Sequence, residues 1–327
     1  MYDLVSLGEV MIRLSPPKHE RLRRATRLNI HVAGSQLNVA ADLARLGKRT
    51  AFLSKLPANE LGILARDACM GYGVDVSHIQ LVPAGRMGVN YVEFGATPRA
   101  GVAVYDRAGS AASGITPEDF PWRAMLAGTR LAYTDGIFPG LGEGCLAASG
   151  AFLGAAKEEG CVTCFDVNYR EHLWPPDAAR AAWHGLLGYV DVLATNRSVA
   201  ETVFGYRGSD EEIAACFHDE YGCEVVCLTS REMLSVLRGA WSSLALHGGE
   251  VIRGRRYEYD VVDRYGTGDA WFAGFLYGYL SMDVRYALDF GNALCALAHT
   301  MEGDVVHASE SEVEALLAPE YDLRVRR

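Results

Sequence analysis

The segment at residues 263–274, Asp-Arg-Tyr-Gly-Thr-Gly-Asp-Ala-Trp-Phe-Ala-Gly, contains the residues best suited to chemistry. Gly266 and Gly268 permit a tight backbone turn, and the apolar residues that follow predict a helix. The first amides of a helix have no backbone partner, so they can hold an anion. Asp269 lies at the junction and is placed to accept a proton from a hydroxyl. An anion site beside a base indicates phosphoryl transfer to an alcohol.

Other interpretations of this segment are weaker. Asp269 as a plain N-cap residue is the structural alternative, because aspartate is common there. The pattern is not a Walker loop, since the chain's only Gly-Lys pair is Gly47-Lys48, with Arg49 next. Nor is it a dinucleotide fingerprint, because Trp271 occupies the place of the third glycine.

Composition excludes several classes of protein. The chain has 327 residues, is 50% hydrophobic and carries a formal net charge of −10. It contains no strongly basic stretch, so we expect no nucleic-acid partner. No apolar run reaches the ~20 residues that span a bilayer, and the first residues do not resemble a signal peptide. We therefore expect a cytoplasmic protein without a membrane partner, whose eight cysteines are reduced.

Short apolar runs alternate with helical patterns along most of the chain. The runs predict strands at 4–7, 50–56, 131–134, 162–166, 192–195 and 225–229, and the helical patterns include 35–47, 60–72 and 143–159. This alternation predicts a mostly parallel sheet covered on both faces, with ligands beyond the carboxyl ends of its strands. The segments at about 10–31 and 86–106 predict a separate small β-sheet over the main one, and exposed apolar residues on it favour a dimer.

Residues 263–274 resemble the C-terminal signature of the ribokinase-like (PfkB) carbohydrate kinases, usually Asp-Thr-Thr-Gly-Ala-Gly-Asp-Ala-Phe. Residues 33–47, from Ala-Gly-Ser-Gln-Leu-Asn-Val-Ala to Leu-Ala-Arg-Leu-Gly, resemble the N-terminal signature, although Ala33 replaces one of its glycines. The order and separation of the two signatures match those of the family, so the resemblance covers nearly the whole chain. Segments at 8–17, 105–110, 166–174 and 299–304, and Asp263-Arg264, are similar to 2-keto-3-deoxygluconate kinases.

The resemblance implies one ribokinase-like domain over residues 1–327, a three-layer α/β sandwich whose lid is formed by about 10–31 and 86–106. It implies ATP-dependent phosphorylation of the terminal hydroxyl of 2-keto-3-deoxygluconate. ATP and Mg²⁺ are the expected cofactors, with a monovalent cation such as K⁺ in many members, and the metal ligands stay open. Partners would be the sugar acid, ATP and a second copy of the chain.

The resemblance also assigns catalytic roles. Asp269 would deprotonate the sugar hydroxyl, and the backbone amides of Gly266, Thr267 and Gly268 would stabilise charge on the transferred phosphoryl group. Phosphoryl transfer depends mainly on positioning and charge stabilisation. Loss of the base or of the anion hole would each lower the rate by roughly 10²–10⁴-fold.

A larger set of residues would contact the sugar. It comprises Glu9, Gly34, Asn38, Asn90, Tyr91, Tyr105, Arg107 and Arg170. Arg107 and Arg170 matter most, because a guanidinium matches the carboxylate of a sugar acid bidentately and a neutral sugar would not need it. Structural alternatives stay open, including Glu9 paired with an arginine and Arg170 paired with Asp166 or Asp191.

The nucleotide-binding segments are where the chain departs most from the family. The expected set is Asn196, Thr229, Ser230, Gly266, Gly268 and Asn292. The family's Asn-X-X-Glu motif has Val199 in its fourth position, and the nearest carboxylate is Glu201. Its glycine-bearing Thr-X-Gly-X-X-Gly segment reads Leu-Thr-Ser-Arg-Glu-Met at 228–233. The pose of ATP therefore stays open.

Two alternatives to a 2-keto-3-deoxygluconate kinase stay open. One is a kinase of the same fold for fructose, ribose or 5-dehydro-2-deoxygluconate, in which Arg107 and Arg170 would point away from the pocket. The other is a catalytically weak, sugar-binding regulatory protein, which the lost glutamate and glycines favour. The intact Gly-Thr-Gly-Asp at 266–269 argues against it, because a protein without catalysis has little chemical need of that turn.

Overall fold

The strands and helices follow the predicted alternation in the computed structural model, which describes residues 1–318. The strands are β1 (Leu4–Leu7), β2 (Met11–Ser15), β3 (Asn29–Ala33), β4 (Thr50–Pro57), β5 (Ile79–Val82), β6 (Gly88–Glu93), β7 (Val102–Asp106), β8 (Leu131–Asp135), β9 (Val162–Asp166), β10 (Val192–Asn196), β11 (Val225–Ser235), β12 (Arg238–His247), β13 (Glu250–Arg253) and β14 (Tyr257–Asp260). The helices are α1 (Ser35–Arg45), α2 (Glu60–Gly71), α3 (Trp122–Leu126), α4 (Glu143–Glu158), α5 (Pro176–Leu187), α6 (Arg197–Val199), α7 (Asp210–Tyr221), α8 (Thr267–Ser281), α9 (Val284–His299) and α10 (Glu310–Leu317). Part of the predicted domain, residues 319–327, lies outside the described residues.

The large sheet has the order β13-β12-β11-β10-β9-β8-β1-β4-β5, with β14 beside β12. Its strands from β11 to β5 pair in parallel, and β12, β13 and β14 add antiparallel pairs at one edge. The central strands are buried along their whole length, as expected where helices cover both faces. One core contains residues of α1, α8 and α9, and the other contains residues of α4, α5 and α7. The predicted three-layer α/β arrangement is confirmed.

The segments without helices form a separate four-stranded sheet of order β3-β2-β6-β7. It is mixed, because β2 and β6 run parallel and the other two pairs antiparallel. Register places four apolar residues in one row on its outer face: Ile30, Leu14, Tyr91 and Val104. It places a second row on the opposite face: His31, Arg13, Asn90 and Tyr105.

All eight cysteines are free thiols, and seven of them are buried. Within residues 1–318, no helix has the length and apolar character needed to cross a bilayer.

Candidate active site

A large cavity lies between the two sheets, at the carboxyl ends of the parallel strands. Asp166 at the end of β9, Asn196 at the end of β10 and Thr229 on β11 line its floor. The start of α8 forms one wall, and Tyr105 of the small sheet lies on the other side. This is the edge of a parallel sheet at which ligands are expected.

Asp269 is held by the start of α1. Ser35 Oγ donates to Asp269 Oδ1 at 2.8 Å, and Asn38 Nδ2 donates to Asp269 Oδ2 at 2.7 Å. The Asn38 side chain is itself oriented by the backbone amide of Gly34, which donates to Asn38 Oδ1 at 3.2 Å. Burial raises the pKa of Asp269 from 3.8 to about 6, and the two side-chain hydrogen bonds oppose this rise. A base with this pKa is ionised at neutral pH and can still accept a proton.

Two further carboxylates lie near Asp269, and sequence reasoning did not single them out. Asn168 Nδ2 donates both to Ser35 Oγ at 2.9 Å and to Asp135 Oδ2 at 3.2 Å, which links Asp135 to Asp269 through Ser35. Burial, followed by the charges of Asp135 and Asp269, raises the pKa of Asp166 to about 8. Both residues end a parallel strand, β8 or β9, and that position is the signal that would have identified them.

The turn before α8 has the geometry that the predicted anion site requires. Gly266 has φ +72°, and a Cβ there would lie 1.9 Å from the carbonyl oxygen of Asp304, so glycine is required on both counts. The amides of Thr267, Gly268 and Asp269 open the helix and have no earlier turn to pair with. Gly266, Gly268 and Asp269 all line the cavity. The predicted base and the predicted anion site are therefore contiguous.

A buried arginine holds this turn from the small sheet. Arg13 of β2 is fully buried, and its guanidinium donates to both carboxylate oxygens of Asp263 and pairs with Asp304 at 3.0 Å. The Asp263 carboxylate also accepts the amides of Arg264 and Tyr265, at 2.6 and 3.0 Å. The turn is thus fixed from both sides.

Glu9 occupies a different place from the one predicted. Its carboxylate is buried, accepts hydrogen bonds from Arg107 and Ser110, and is not part of the cavity lining. The expectation that Glu9 faces the sugar is corrected, because the Glu9 carboxylate binds the guanidinium of Arg107 instead. Arg107 itself lines the cavity, so Glu9 orients the arginine. Gly34 also lies outside the lining, and a Cβ there would come within 2.1 Å of the Glu9 carbonyl oxygen.

Arg170 is free to bind a ligand. It lines the cavity and is exposed, and its hydrogen bond within residues 1–318 goes to the carbonyl of Tyr169 at 3.4 Å. Asp191 pairs with Lys157 instead, and Asp166 forms no salt bridge with Arg170 within residues 1–318, although the charge of Arg170 opposes the rise in the pKa of Asp166. The position of Arg170 fits the predicted carboxylate contact.

Of the three predicted sugar contacts on the small sheet, one lines the cavity. Tyr105 lines the cavity, and Asn90 lies opposite it in register on the same face. Asn90 is 6% exposed, and its Oδ1 has no hydrogen-bond partner in the described residues. The prediction that Tyr91 contacts the sugar is corrected, because the alternation of side chains along β6 places Tyr91 on the outer face, in the row that contains Val104.

Some of the residues predicted to bind the nucleotide line the cavity, and others do not. Asn196, Thr229 and Ser230 line the cavity, and Asn196 Oδ1 caps α6 by accepting the amide of Val199 at 3.0 Å. The prediction that Asn292 binds the nucleotide is corrected, since Asn292 is fully buried and does not line the cavity. Its side chain bonds to Ser243, Trp271 and the carbonyl of Arg255. Glu201 pairs with Arg197 and Arg207.

The residues of the cavity fit a magnesium–nucleotide complex. No group of three or more His, Cys, Asp or Glu side chains within residues 1–318 could hold a metal alone. Magnesium in phosphoryl-transfer sites is bound by one or two carboxylates together with substrate phosphates. Asp166 lines the same cavity as the turn before α8 and would supply such a carboxylate.

Comparisons with known proteins match this geometry. The profile of the pfkB family carbohydrate kinases matches residues 1–310. A 2-dehydro-3-deoxygalactonokinase of Haloferax volcanii is 36% identical over 316 residues, which is 96% of each chain. A 2-dehydro-3-deoxygluconokinase of Thermoproteus tenax is 31% identical, over 97% of this chain and 94% of its own. The crystal structure of a 2-dehydro-3-deoxygluconokinase from Thermotoga maritima superposes with a TM-score of 0.92 at 35% identity, over 97% of this chain and 99% of that one.

Proposed function

The chain belongs to the pfkB family of carbohydrate kinases, and we propose that the sugar it phosphorylates is 2-keto-3-deoxygluconate or its galactonate epimer. Members of this family use ATP and Mg²⁺, and the chain is a phosphotransferase that acts on a sugar hydroxyl. The observation that carries the substrate is Arg170, an exposed guanidinium in the cavity without a carboxylate partner within residues 1–318.

Two arginines support binding of a carboxylate. Arg107 and Arg170 both line the cavity, and a guanidinium binds a carboxylate through paired, charge-assisted hydrogen bonds. Glu9 already pairs with Arg107. Arg170 forms no salt bridge within residues 1–318, although its charge acts on Asp135, Asp166 and Asp269. On the small sheet, the unpartnered Oδ1 of Asn90 is available to accept a hydrogen bond from a hydroxyl of the sugar.

The mechanism follows from the contacts of Asp269. Ser35 and Asn38 keep its carboxylate in place, and Asp269 accepts the proton of the terminal hydroxyl as the hydroxyl oxygen attacks phosphorus. The amides at the start of α8 stabilise the charge on the transferred phosphoryl group. Bound Mg²⁺ supplies charge neutralisation on the phosphates. We propose that the small sheet acts as a lid that excludes water from this reaction.

A substrate panel tests the proposal. ATP-dependent phosphorylation would be measured with 2-keto-3-deoxygluconate, its galactonate epimer, 5-dehydro-2-deoxygluconate, fructose and ribose, for the natural chain and for Arg170→Ala. We expect turnover of 2-keto-3-deoxygluconate and its galactonate epimer alone, with KM raised in Arg170→Ala and unchanged in Arg180→Ala, an exposed control on α5. Turnover of neutral sugars would overturn the substrate assignment. Binding without any turnover would indicate a regulatory protein.

The same assay checks two smaller predictions about conditions and location. Exchanging K⁺ for Na⁺ tests whether a monovalent cation is needed, and a requirement for K⁺ stays a prediction until then. A cytoplasmic location also stays a prediction, which fractionation of the source cells would check.

The outer face of the small sheet supports a dimer of two copies of this chain. Its row contains Ile30 and Val104, which are 57% and 51% exposed, beside Leu14 and Tyr91. Exposed apolar residues such as Ile30 and Val104 favour association. Light scattering should show a dimer that Val104→Asp dissociates, whereas Val251→Asp, an exposed control on β13, should leave it intact. A monomeric natural chain would exclude this interface.

A further inference from the structure

Two arginines line the nucleotide side of the cavity without a carboxylate partner among residues 1–318. Arg231 lies on β11, and Arg264 lies in the turn before α8. The neighbouring Glu232 forms its ion pair with Arg256, so it does not neutralise Arg231. Arg264 Nη2 donates to the carbonyl of Val236. Both positive charges are therefore available to an anion in the cavity.

Arg231 is held against the anion site by two contacts. Its Nη2 donates to Thr267 Oγ1 at 3.1 Å, and Thr267 is the first residue of α8. Its guanidinium lies 5.2 Å from the centre of the Trp241 ring, and such stacking fixes the plane of an arginine. The guanidinium is thus placed at the edge of the site that receives the transferred phosphoryl group.

The two arginines repel each other in the absence of an anion. Burial, followed by the charge of Arg231, lowers the pKa of the Arg264 guanidinium. Like charges held close together are unfavourable unless an opposite charge lies between them. A diphosphate carries that charge on oxygens that match the guanidinium fork. The arrangement therefore has the features of a site for a phosphate chain.

The hairpin of β11 and β12 takes the place of a glycine-bearing loop at this side of the cavity. β11 continues to Ser235 and pairs with β12 from Arg238 onward, so residues 230–235 form a strand where a glycine-bearing loop was expected. Because this part of β11 pairs with β12 alone, alternate amides are committed to the ladder. Charged side chains then take on more of any contact to phosphate.

We propose that Arg231 and Arg264 bind the diphosphate of the nucleotide, with Arg231 against the leaving β-phosphate. In the transfer, the bond between the γ-phosphorus and the β–γ bridging oxygen breaks, and its electron pair stays on that oxygen. The sugar oxygen forms the new bond to phosphorus, and Asp269 takes the proton. Arg231 stabilises the charge that develops on the leaving diphosphate, as arginines do in other phosphoryl transfers. This inference rests on the proposed kinase function.

Binding of ADP, measured by isothermal titration calorimetry, tests the assignment without turnover. We expect Arg231→Ala and Arg264→Ala each to weaken ADP binding by about 10- to 100-fold, the size expected for a hydrogen bond to a charged group. Arg231→Lys should fall between Arg231→Ala and the natural chain. Arg253→Ala is the control, since it removes an exposed arginine of the same sheet edge that pairs with Glu211 and lies outside the pockets lined by Arg231 and Arg264.

Kinetics separate a phosphate ligand from a structural role. We expect Arg231→Ala to lower kcat and raise KM for ATP, to leave KM for the sugar within twofold, and to be partly rescued by added guanidinium. ADP affinity within twofold of the natural chain in Arg231→Ala would overturn the inference. So would an equal weakening of ADP and sugar binding, because that pattern indicates a displaced α8. If the natural chain binds ADP but phosphorylates no sugar, the proposed function fails and the ADP measurement still decides the role of the arginines.

Discussion

Replacing Asp269 with asparagine separates its two effects, the catalytic base and a half-buried negative charge. The asparagine side chain can keep both present contacts, since its oxygen accepts from Asn38 while its amide donates to Ser35 Oγ, whose hydroxyl then rotates. The two side chains have nearly the same volume, so packing is unchanged. Loss of the base should lower kcat by roughly 10²–10⁴-fold.

The same substitution should make the protein more stable at neutral pH. The pKa of Asp269 rises from 3.8 to about 6 in the fold, and each pKa unit corresponds to ~1.4 kcal/mol. Ionising Asp269 in the folded state therefore costs at most ~3 kcal/mol, and solvent in the cavity reduces this to about 1–2 kcal/mol. Because the folded pKa lies above the unfolded one, this cost is absent below about pH 4, grows up to about pH 6 and is constant above it.

Urea unfolding and initial rates, measured together, test both effects. At pH 7.5 we expect Asp269→Asn to unfold at higher urea than the natural chain, and at pH 5 we expect about half that gap. For the natural chain, kcat/KM should fall about tenfold per pH unit below pH 6. Asp219→Asn, at an exposed site on α7, should change neither quantity. If Asp269→Asn keeps a tenth or more of the natural kcat, Asp269 is not the catalytic base. If Asp269→Asn is less stable than the natural chain at pH 7.5, the argument that the buried charge is destabilising is wrong.

Three further substitutions test the site. Arg13→Ala leaves Asp263 and Asp304 buried without their cation and should lower the free energy of unfolding by about 3–5 kcal/mol in urea; a loss below about 1 kcal/mol would contradict this. Asn90→Ala should raise KM for the sugar about tenfold and leave KM for ATP unchanged, since it removes one hydrogen bond; equal changes in both would contradict a sugar contact. Gly266→Ala should lower kcat at least about 100-fold, because its Cβ meets the Asp304 carbonyl; near-natural kcat would show that the turn adapts.

The fold was predictable because parallel strands buried on both faces leave continuous apolar runs in the sequence. β1 and β9 have the predicted bounds, and β8 and β10 each extend one residue further. The prediction ended β11 at residue 229, whereas the strand continues to Ser235. Its last residues are exposed, and they are extended because β12 pairs with them. Such pairing is a tertiary contact, and no local pattern encodes it.

The site was predictable where its geometry is local. The turn at 266–269 contains both the predicted anion site and the predicted base within four residues, so glycine spacing and one aspartate were enough to propose them. Glu9 and Asn292 were misplaced because their partners lie far away in sequence. Arg107 is 98 residues from Glu9, and Ser243 is 49 residues from Asn292. A polar residue in a signature can serve the ligand or the fold, and its distant partner decides which.

The contacts of the small sheet determine which part of it can move over the sugar. β2 is fixed, because Arg13 is buried between Asp263 and Asp304. Breaking those ion pairs would leave buried charges without a partner. β7, in contrast, is exposed along its whole length. Closure should therefore bend β6 and β7 about β2 and carry Asn90 and Tyr105 toward the sugar. Hydrogen exchange should then show sugar-dependent protection in β7 and none in β2. Equal protection of both strands would mean that the sheet moves as one body and that the Arg13 pairs move with it.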